Sequence, residues 1–361
     1  MKVAILGYDH SVDDKRVFRT VKTLSKYHDV VYVYRQDESK KEIEEELKRE
    51  YPHIEFVPIV LKERSPRGIY TFDKENVEAV IESDADVWYL HTAPDTRPLQ
   101  LFTEGKRRGK RIIYDSHELV PYNWIAGATR KVHFVDRIRR LIAWDILYTQ
   151  VTLSDCVIDT SYARLVYWLH RLHLRKFRNY LVLPNLAEYS IDISIDSKEN
   201  IFAFVGSTRR NIDITLIKKV HDLTGWRFVY VSSSPDSILD SIPWITYHEV
   251  MKYDEMMQFL SKAMFSIIAY EAPYGQEMNY YLALPHKFFD SLAAGTPVIV
   301  GDRFIEMKAF TKKWNVGYVS SEVTATILDE YEKLLSNVKM HQSYFTWNDR
   351  WEKNLLCCLE V

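Results

Sequence analysis

Lys287 and Asp290 stand three residues apart in the stretch LPHKFFDSLAAGTPVIVG, residues 284–301. The spacing predicts a helix over 285–295. Pro285 suits a first turn, whose N–H would be unpaired anyway, and Gly295 suits the left-handed position that ends a helix. Phe288, Phe289, Leu292 and Ala293 would face a core, and Lys287 and Asp290 would be surface neighbours. A lysine beside the free N–H groups of a helix start makes an anion site. A second group lies earlier. His91 ends an apolar run, and Asp115, His117 and Glu118 follow another. A carboxylate and an imidazole in such a place can orient a hydroxyl or help deprotonate it. A hydrogen-bonded loop explains the second run equally, and His91 also reads as a core histidine. Arg209 and Arg210 come soon after Gly206. Guanidinium groups offer paired donors to phosphate, though an ordinary basic turn has the same composition.

These residues need elements to hold them. Strands are expected over 2–7, 29–34, 54–60, 87–91, 111–114, 157–159 and 180–183. Helical spacing of apolar residues falls between several of them, as at Val17, Val21 and Leu24. Asp14 and Arg16 suit a cap and a brace for that helix. Longer helices are expected over 136–152 and 162–174. The alternation then starts again, with strands over 201–206, 227–231, 244–247, 265–269 and 297–300. Helices are expected over 212–223, 253–262, 322–335 and 347–359. Strands alternating with helices imply crossover units and parallel sheets. Residues 185–200 lack a sustained helical period and read as a linker. The expected organisation is therefore a domain over 1–184, a linker, a domain over 201–340, and a terminal helix over 341–361 that crosses back.

A chain of 361 residues is too long for one typical core, which supports two domains. With 47% hydrophobic and 27% charged residues it has the composition of an ordinary globular protein. No uncharged apolar run reaches the length of a spanning helix, and the N-terminal run reads as a strand rather than a signal segment. The 3 cysteines, Cys156, Cys357 and Cys358, have neither disulfide-framework nor metal-ligand spacing, and the expected compartment is the cytoplasm. The 11 glycines include no G-x-G pair, which excludes the dinucleotide fingerprint; P-loop, G-x-S-x-G and H-E-x-x-H motifs are also absent. Net charge is −2 overall, but residues 101–180 hold 15 Lys/Arg against 7 Asp/Glu, or +8. Within 130–178, Lys131, Arg137, Arg139, Arg140, Arg171, Arg175, Lys176 and Arg178 adjoin Phe134, Ile138, Leu141, Trp144, Trp168 and Leu172. That mixture suits an anionic membrane surface, and internal helix packing explains the apolar members as well. No recognisable nucleic-acid motif is present.

Five segments carry a resemblance: DDKRVFRTVKTLSKYHDVVYVY near the start, ADVWYLH with Asp95 after it, IIYDSHEL, LPHKFFDSLAAGTPVIVGD, and FTWNDRWEKNL near the end. In this order the chain resembles nucleotide-sugar glycosyltransferases of the GT-B fold, most closely retaining family 4. The resemblance implies two Rossmann-like domains facing across a cleft. It implies transfer of a sugar from a nucleoside-diphosphate sugar to a glycan or lipid-linked acceptor, with retention and without a metal or other cofactor. Asp290 would hold the ribose hydroxyls, and Lys287, Arg209 and Arg210 the diphosphate, with Gly7 and Pro285 admitting the donor closely. The catalytic residues would be His91, facing the cleft beside the sugar, with His117 and Asp115 at an acceptor hydroxyl, and Asp95 and Glu118 would lie on the acceptor side. The family places a glutamate eight residues before Asp290, where this chain has Leu282. A branch with N…ALP-x-K fits NYYLALPHK, which makes Asn279 a donor-site residue, with Glu277 nearby. A nucleotide-sugar 2-epimerase of the same fold and a non-catalytic sugar-nucleotide-binding subunit are the alternatives.

Overall fold

Val3, Ala4, Ile5 and Leu6 are wholly buried, as are Ile112 to Tyr114 and Phe202 to Phe204. Strands apolar on successive residues are covered on both faces, which is the condition of a parallel sheet between helices. The computed structural model describes residues 1–7, 10–60, 74–92, 96–123, 134–177, 179–192, 194–206 and 211–360. The chain divides into two units. Among the described residues, the first holds those up to 183 together with 350–360, and the second holds 184–349.

The first unit contains β1 (Lys2–Leu6), α1 (Lys15–Ser25), β2 (Asp29–Arg35), α2 (Lys41–Glu50), β3 (Glu55–Ile59), α3 (Lys74–Glu82) and β4 (Val87–Thr92). It continues with α4 (Thr96–Arg107), β5 (Arg111–Ser116), α5 (Val120–Asn123), α6 (Phe134–Leu153), β6 (Cys156–Asp159), α7 (Tyr162–Arg171) and β7 (Tyr180–Val182). Its sheet has the order β3-β2-β1-β4-β5-β6-β7, with every pairing parallel. The order reverses between β1 and β4, and ligands of such sheets bind beyond the carboxyl ends of the strands at that point. His91 and Asp115 are register partners there. α1 begins where Asp14 accepts from the backbone N–H groups of Arg16 and Val17. It buries Val17, Val21 and Leu24, and also Arg16 and Arg19.

The second unit contains β8 (Glu199–Val205), β9 (Asn211–Ile212), α8 (Ile214–Thr224), β10 (Arg227–Val231), β11 (Ile245–His248), α9 (Tyr253–Lys262), β12 (Ala263–Ile268) and β13 (Tyr270–Glu271). It continues with α10 (Glu277–Tyr281), α11 (His286–Ala293), β14 (Val298–Val300), α12 (Ile305–Trp314), β15 (Gly317–Val319) and α13 (Tyr331–Phe345). The last helix, α14 (Asp349–Glu360), packs with the first unit. The main sheet has the order β11-β10-β8-β12-β14-β15, again all parallel, and it reverses between β8 and β12. A short antiparallel pair, β13-β9, stands apart.

Two expectations need correction and one gains detail. Residues 185–200, expected as the inter-domain linker, begin just past the unit boundary at 183/184 and are held by hydrogen bonds. Ala187 N donates to Phe345 O (3.0 Å) and Ile191 N to Ala293 O (3.0 Å). Lys198 Nζ donates to Ala263 O and Gly295 O, both at 2.9 Å, and to Thr296 Oγ1 at 3.1 Å. These acceptors take up the three N–H groups of an ammonium and join the ends of α9 and α11, although burial pushes Lys198 down to about 7. The segment is irregular because its hydrogen bonds go to helix ends instead of a ladder. Next, the helix expected over 322–335 is α13, displaced to the turns whose apolar face, Leu334, Leu335, Val338 and Phe345, is buried. That helix runs through position 341, so the crossing back starts only at 350. Finally, α11 starts at His286 with Pro285 as its N-cap. Gly295 follows its last turn at φ 79°, the left-handed geometry that stops the helix.

Candidate active site

In the first unit the site is built where β1, β4 and β5 end. Arg16, presented by the first turn of α1, donates through Nη2 to Asp115 Oδ1. Tyr89 on β4 donates its hydroxyl to Asp115 Oδ2 at 2.9 Å. Burial pushes the Asp115 carboxyl up from its ordinary value, and the Arg16 charge and the Tyr89 bond work against that. His91 Nδ1 lies 3.4 Å from Asp115 Oδ2 and 2.8 Å from His117 Nε2. A bare lone pair on His91 Nδ1 would face a carboxylate, so we assign the proton to that nitrogen. His91 then donates to His117 Nε2, and His117 carries its own proton on Nδ1. Burial drives both imidazoles well below their ordinary value, with the Arg16 charge adding to it.

Both contacts of His91 use the one nitrogen, so the three form a cluster in which only His117 reaches the surface. His91 is 0% and Asp115 1% exposed, whereas His117 is partly exposed. This corrects the expectation that His91 faces a sugar and Asp115 an acceptor hydroxyl: both lie beneath His117 and orient it. The backbone around His117 is held by Arg164 of α7. Its Nη1 donates to His117 O (2.9 Å) and its Nη2 to Ser116 O (3.0 Å), while Nε pairs with Asp159 (2.8 and 3.0 Å). Trp168 Nε1 donates to the same Asp159 at 3.1 Å. The sequence gave no sign of this bracket, because Arg164 reads as one basic residue among many.

His10 was also missed. Its ring lies 4.5 Å from that of His117, centroid to centroid. Its Nδ1 is 2.9 Å from Asp14 Oδ2, and its side chain is 25% exposed. Burial raises the Asp14 carboxyl, but the His10 bond and the Val17 N–H outweigh that and leave it below the usual carboxylate range. A carboxylate that accepts from Nδ1 orients the ring and makes Nε2 the proton-accepting nitrogen. Asp14, expected only as a cap, thus caps α1 with one oxygen and orients His10 with the other. The signal was available in the four-residue spacing of His10 and Asp14, but it falls outside any regular helix. Glu118 is exposed beside His117, and Asp95 lies outside the described residues. Gly7 closes a turn: its N–H donates to Val33 O (2.7 Å) and its carbonyl accepts from His10 N (3.0 Å).

Among the described residues, the ligand atoms of His91, Asp115 and His117 all lie within 4.8 Å of one another. A dication placed among them would face the Arg16 guanidinium and would break the His91–His117 bond. A fixed positive charge beside the three ligand atoms makes this donor set a poor fit for a dication.

In the second unit the start of α11 meets the end of β8. Lys287 Nζ sits 4.1 Å from the Phe204 ring centroid and 5.3 Å from that of Tyr270. Gly206 has φ 139°, and a Cβ there would come within 2.5 Å of that ammonium, so this backbone and this cation are compatible only through glycine. Lys287 is thus lodged over two aromatic faces at a helix N-terminus, where positive potential already accumulates. Arg209 and Arg210 lie outside the described residues. Asp290 is 4% exposed and accepts the Tyr253 hydroxyl at 2.9 Å. Tyr253 in turn accepts from Glu188 N at 3.1 Å. Asp290 is thus tied to the 185–200 segment. It offers a ligand far less surface than an exposed helix acid would.

Asn279 on α10 is 8% exposed, and Leu282 is core at 3%, so no acid projects from that position. A hollow of about 170 Å³ adjoins this region, lined by Tyr270, Tyr281, Gly301, Asp302, Arg303 and Phe304 among others. A larger one of about 540 Å³ involves Glu199 and Arg227, which open β8 and β10, and so lies toward the amino ends of the strands.

One consequence concerns stability. Arg16→Met leaves the Asp115 charge buried without its partner and should lower unfolding free energy by about 3–5 kcal/mol. Urea midpoints measure this, and the double change Arg16→Met/Asp115→Leu should recover part of the loss. A single-variant effect below about 0.5 kcal/mol, the size of an ordinary surface substitution, would contradict the buried-pair assignment.

No protein-family model matches the sequence, and no curated protein does. Solved structures match it along its whole length. WaaG, a glycosyltransferase involved in lipopolysaccharide biosynthesis, shares 12% identity at a TM-score of 0.60, covering 99% of each chain. HepE of Anabaena, in complex with UDP and glucose, shares 11% at 0.63, covering 100% of this chain and 99% of its own. A trehalose-6-phosphate structure from E. coli, bound with UDP-2-fluoro glucose, shares 9% at 0.62, covering 100% and 98%. At such identities the likeness establishes architecture. Two all-parallel α/β units in this order are the GT-B fold, and that is the fold of this chain.

Proposed function

We propose that the protein is a glycosyltransferase that takes a hexosyl group from a nucleoside-diphosphate sugar and gives it to a glycan or lipid-linked acceptor. The observation that carries the reading is Lys287 lodged against Gly206 at the start of α11. A fixed cation at a helix N-terminus suits a departing diphosphate, whose growing charge is the main demand of the transfer. Arg209 and Arg210 add to it in this reading, Asp290 and Asn279 bind the remainder of the donor, and no step is routed through a metal. His10 and His117 face the acceptor, with Glu118 beside His117, and the resemblance adds Asp95 to the acceptor side. The resemblance to retaining family 4 supports retention at the anomeric carbon.

The His10–Asp14 dyad favours a second reading. An oriented imidazole able to take the acceptor proton permits direct displacement, and direct displacement inverts the anomeric centre. In the retaining reading the departing phosphate takes that proton, and His10 only positions the hydroxyl. A 2-epimerase would convert the donor with no acceptor present, and a binding subunit would convert nothing.

The acceptor side has a surface suited to lipid. On α6, Phe134 is 76% and Leu141 67% exposed, with Val135 and Ile138 also exposed and Arg137 among them. Trp144 and Trp168 are buried and drop out of the expected 130–178 surface, whereas Arg171, Arg175 and Lys176 are exposed. Arg139 pairs with Asp136 and Arg140 stacks on Tyr122. Lys131 and Arg178 lie outside the described residues. Among the described residues, no helix is long and apolar enough to cross a membrane. The reading therefore places contact at the surface of an anionic bilayer.

Three outcomes follow. One of UDP, GDP or ADP should raise the unfolding midpoint, by about 2.7 kcal/mol of stabilisation at 100 times its dissociation constant, and Lys287→Ala should weaken that response about 10- to 100-fold. No response to any of them refutes the donor assignment. His10→Ala should lower turnover by about 10²–10⁴-fold if His10 is the base, with an inverted product linkage by NMR; a retained linkage with a smaller loss selects the first reading. Vesicles rich in anionic lipid should sediment the protein, and Phe134→Asp/Leu141→Asp should release it; equal sedimentation of both proteins would remove α6 from the proposal.

A further inference from the structure

Two buried thiols meet where the end of the chain returns to the first unit. Cys156 opens β6 and Cys358 lies in the last turns of α14, 202 residues later. Their sulfur atoms are 2.8 Å apart, and each residue is 6% exposed. The approach is held by other contacts. Arg111, at the start of β5, donates from Nε (3.2 Å) and Nη2 (2.8 Å) to the carbonyl of Cys358. On an earlier turn of the helix, Glu352 accepts from Lys26 at 2.6 Å. Leu355 and Leu359 bury the same helix against the unit. The neighbouring Cys357 is exposed and serves as an internal comparison.

We propose that Cys156 and Cys358 are an oxidative modification site, closing to a disulfide that fastens the returning helix α14 to the sheet of the first unit. The oxidant is a hydroperoxide. The reactive form is a thiolate, and Cys156 is the better candidate, because the Cys358 bond and the Arg111 charge lower it while Cys358 is raised. The Cys156 thiolate attacks the peroxide, the O–O bond breaks, and the leaving oxygen takes the proton that Cys156 released. The product is a sulfenic acid. The Cys358 sulfur then attacks that sulfur. The S–S bond forms, the S–O bond breaks, and water leaves with the Cys358 proton. Two thiols lose two electrons, and hydrogen peroxide becomes two molecules of water. A dithiol reductant reverses the change.

Both thiols are 6% exposed, so entry of the oxidant is helped by local opening of α14. The bond would capture the helix when it recloses. The loop that it closes contains the whole second unit, 184–349. A covalent link across so long a loop restricts the unfolded chain strongly.

The test uses the full chain, reduced and then treated with hydrogen peroxide, alkylated after denaturation and digested without reductant. The expected map shows a Cys156–Cys358 linked peptide with Cys357 outside the link, together with a rise in Tm of about 4 °C or more that dithiothreitol removes. Cys357→Ser should keep the link and the shift, and Cys358→Ser should lose both. Cys156 and Cys358 both recovered as alkylated thiols after peroxide treatment, or Cys357 as the linked partner, would overturn the proposal. The map of the unaltered chain decides this even where a variant fails to fold.

Discussion

The candidate site of the first unit depends on one buried charge pair, Arg16 with Asp115. Asp115 lies at 1% exposure beneath two imidazoles, and a carboxylate so placed persists only with a counter-charge and donors around it. Arg16 and Tyr89 supply them. The Arg16 charge and the Tyr89 donor oppose the effect of burial on Asp115; with the His91 proton assigned toward that carboxyl, the face that His117 presents is assigned too. The same arginine is the first turn of α1, whose cap, Asp14, orients His10. One short stretch, DDKR, therefore bears on three histidines, one on β4 and two on the loops after β1 and β5.

The second unit solves a different problem with fewer charges. Its cation rests on two aromatic faces and against a glycine. Ring quadrupoles attract an ammonium through their faces and hold it in place without a net opposite charge of their own. Lys198 and Tyr253 stiffen this region from behind, tying α9, α11 and the 185–200 segment together. The stiffness matters because an anion site works through fixed dipoles that need no rearrangement.

Much of this was legible in the sequence because it is local. Parallel strands announce themselves by apolar runs, the helix at 285–295 by its proline and glycine, and the cap at Asp14 by its place before a periodic segment. The cluster of His91, Asp115 and His117 was only half legible. His91, Asp115 and His117 were visible as residue types at strand ends, but their burial was not, nor was the partner that Asp115 takes 99 residues away. Arg164 and Lys198 read as solvated bases because nothing nearby in sequence tells where a long side chain will reach. Residues 185–200 read as a linker because hydrogen bonds to helix ends leave no period. Leu282 gave the opposite lesson: the absence of an acid was plain from the sequence, and the core position explains it.

The return of α14 has a bearing on how the chain is made. The first unit is interrupted: its sheet is complete by β7, yet the helix that covers Cys156 and meets Arg111 is synthesised only after the entire second unit. During translation the amino-terminal sheet must therefore wait with part of its apolar surface, and one thiol, uncovered, while a later unit is folding. A growing chain of this design keeps that patch uncovered while residues 184–349 are made, which makes it a natural place for a folding helper to bind and for premature association to begin.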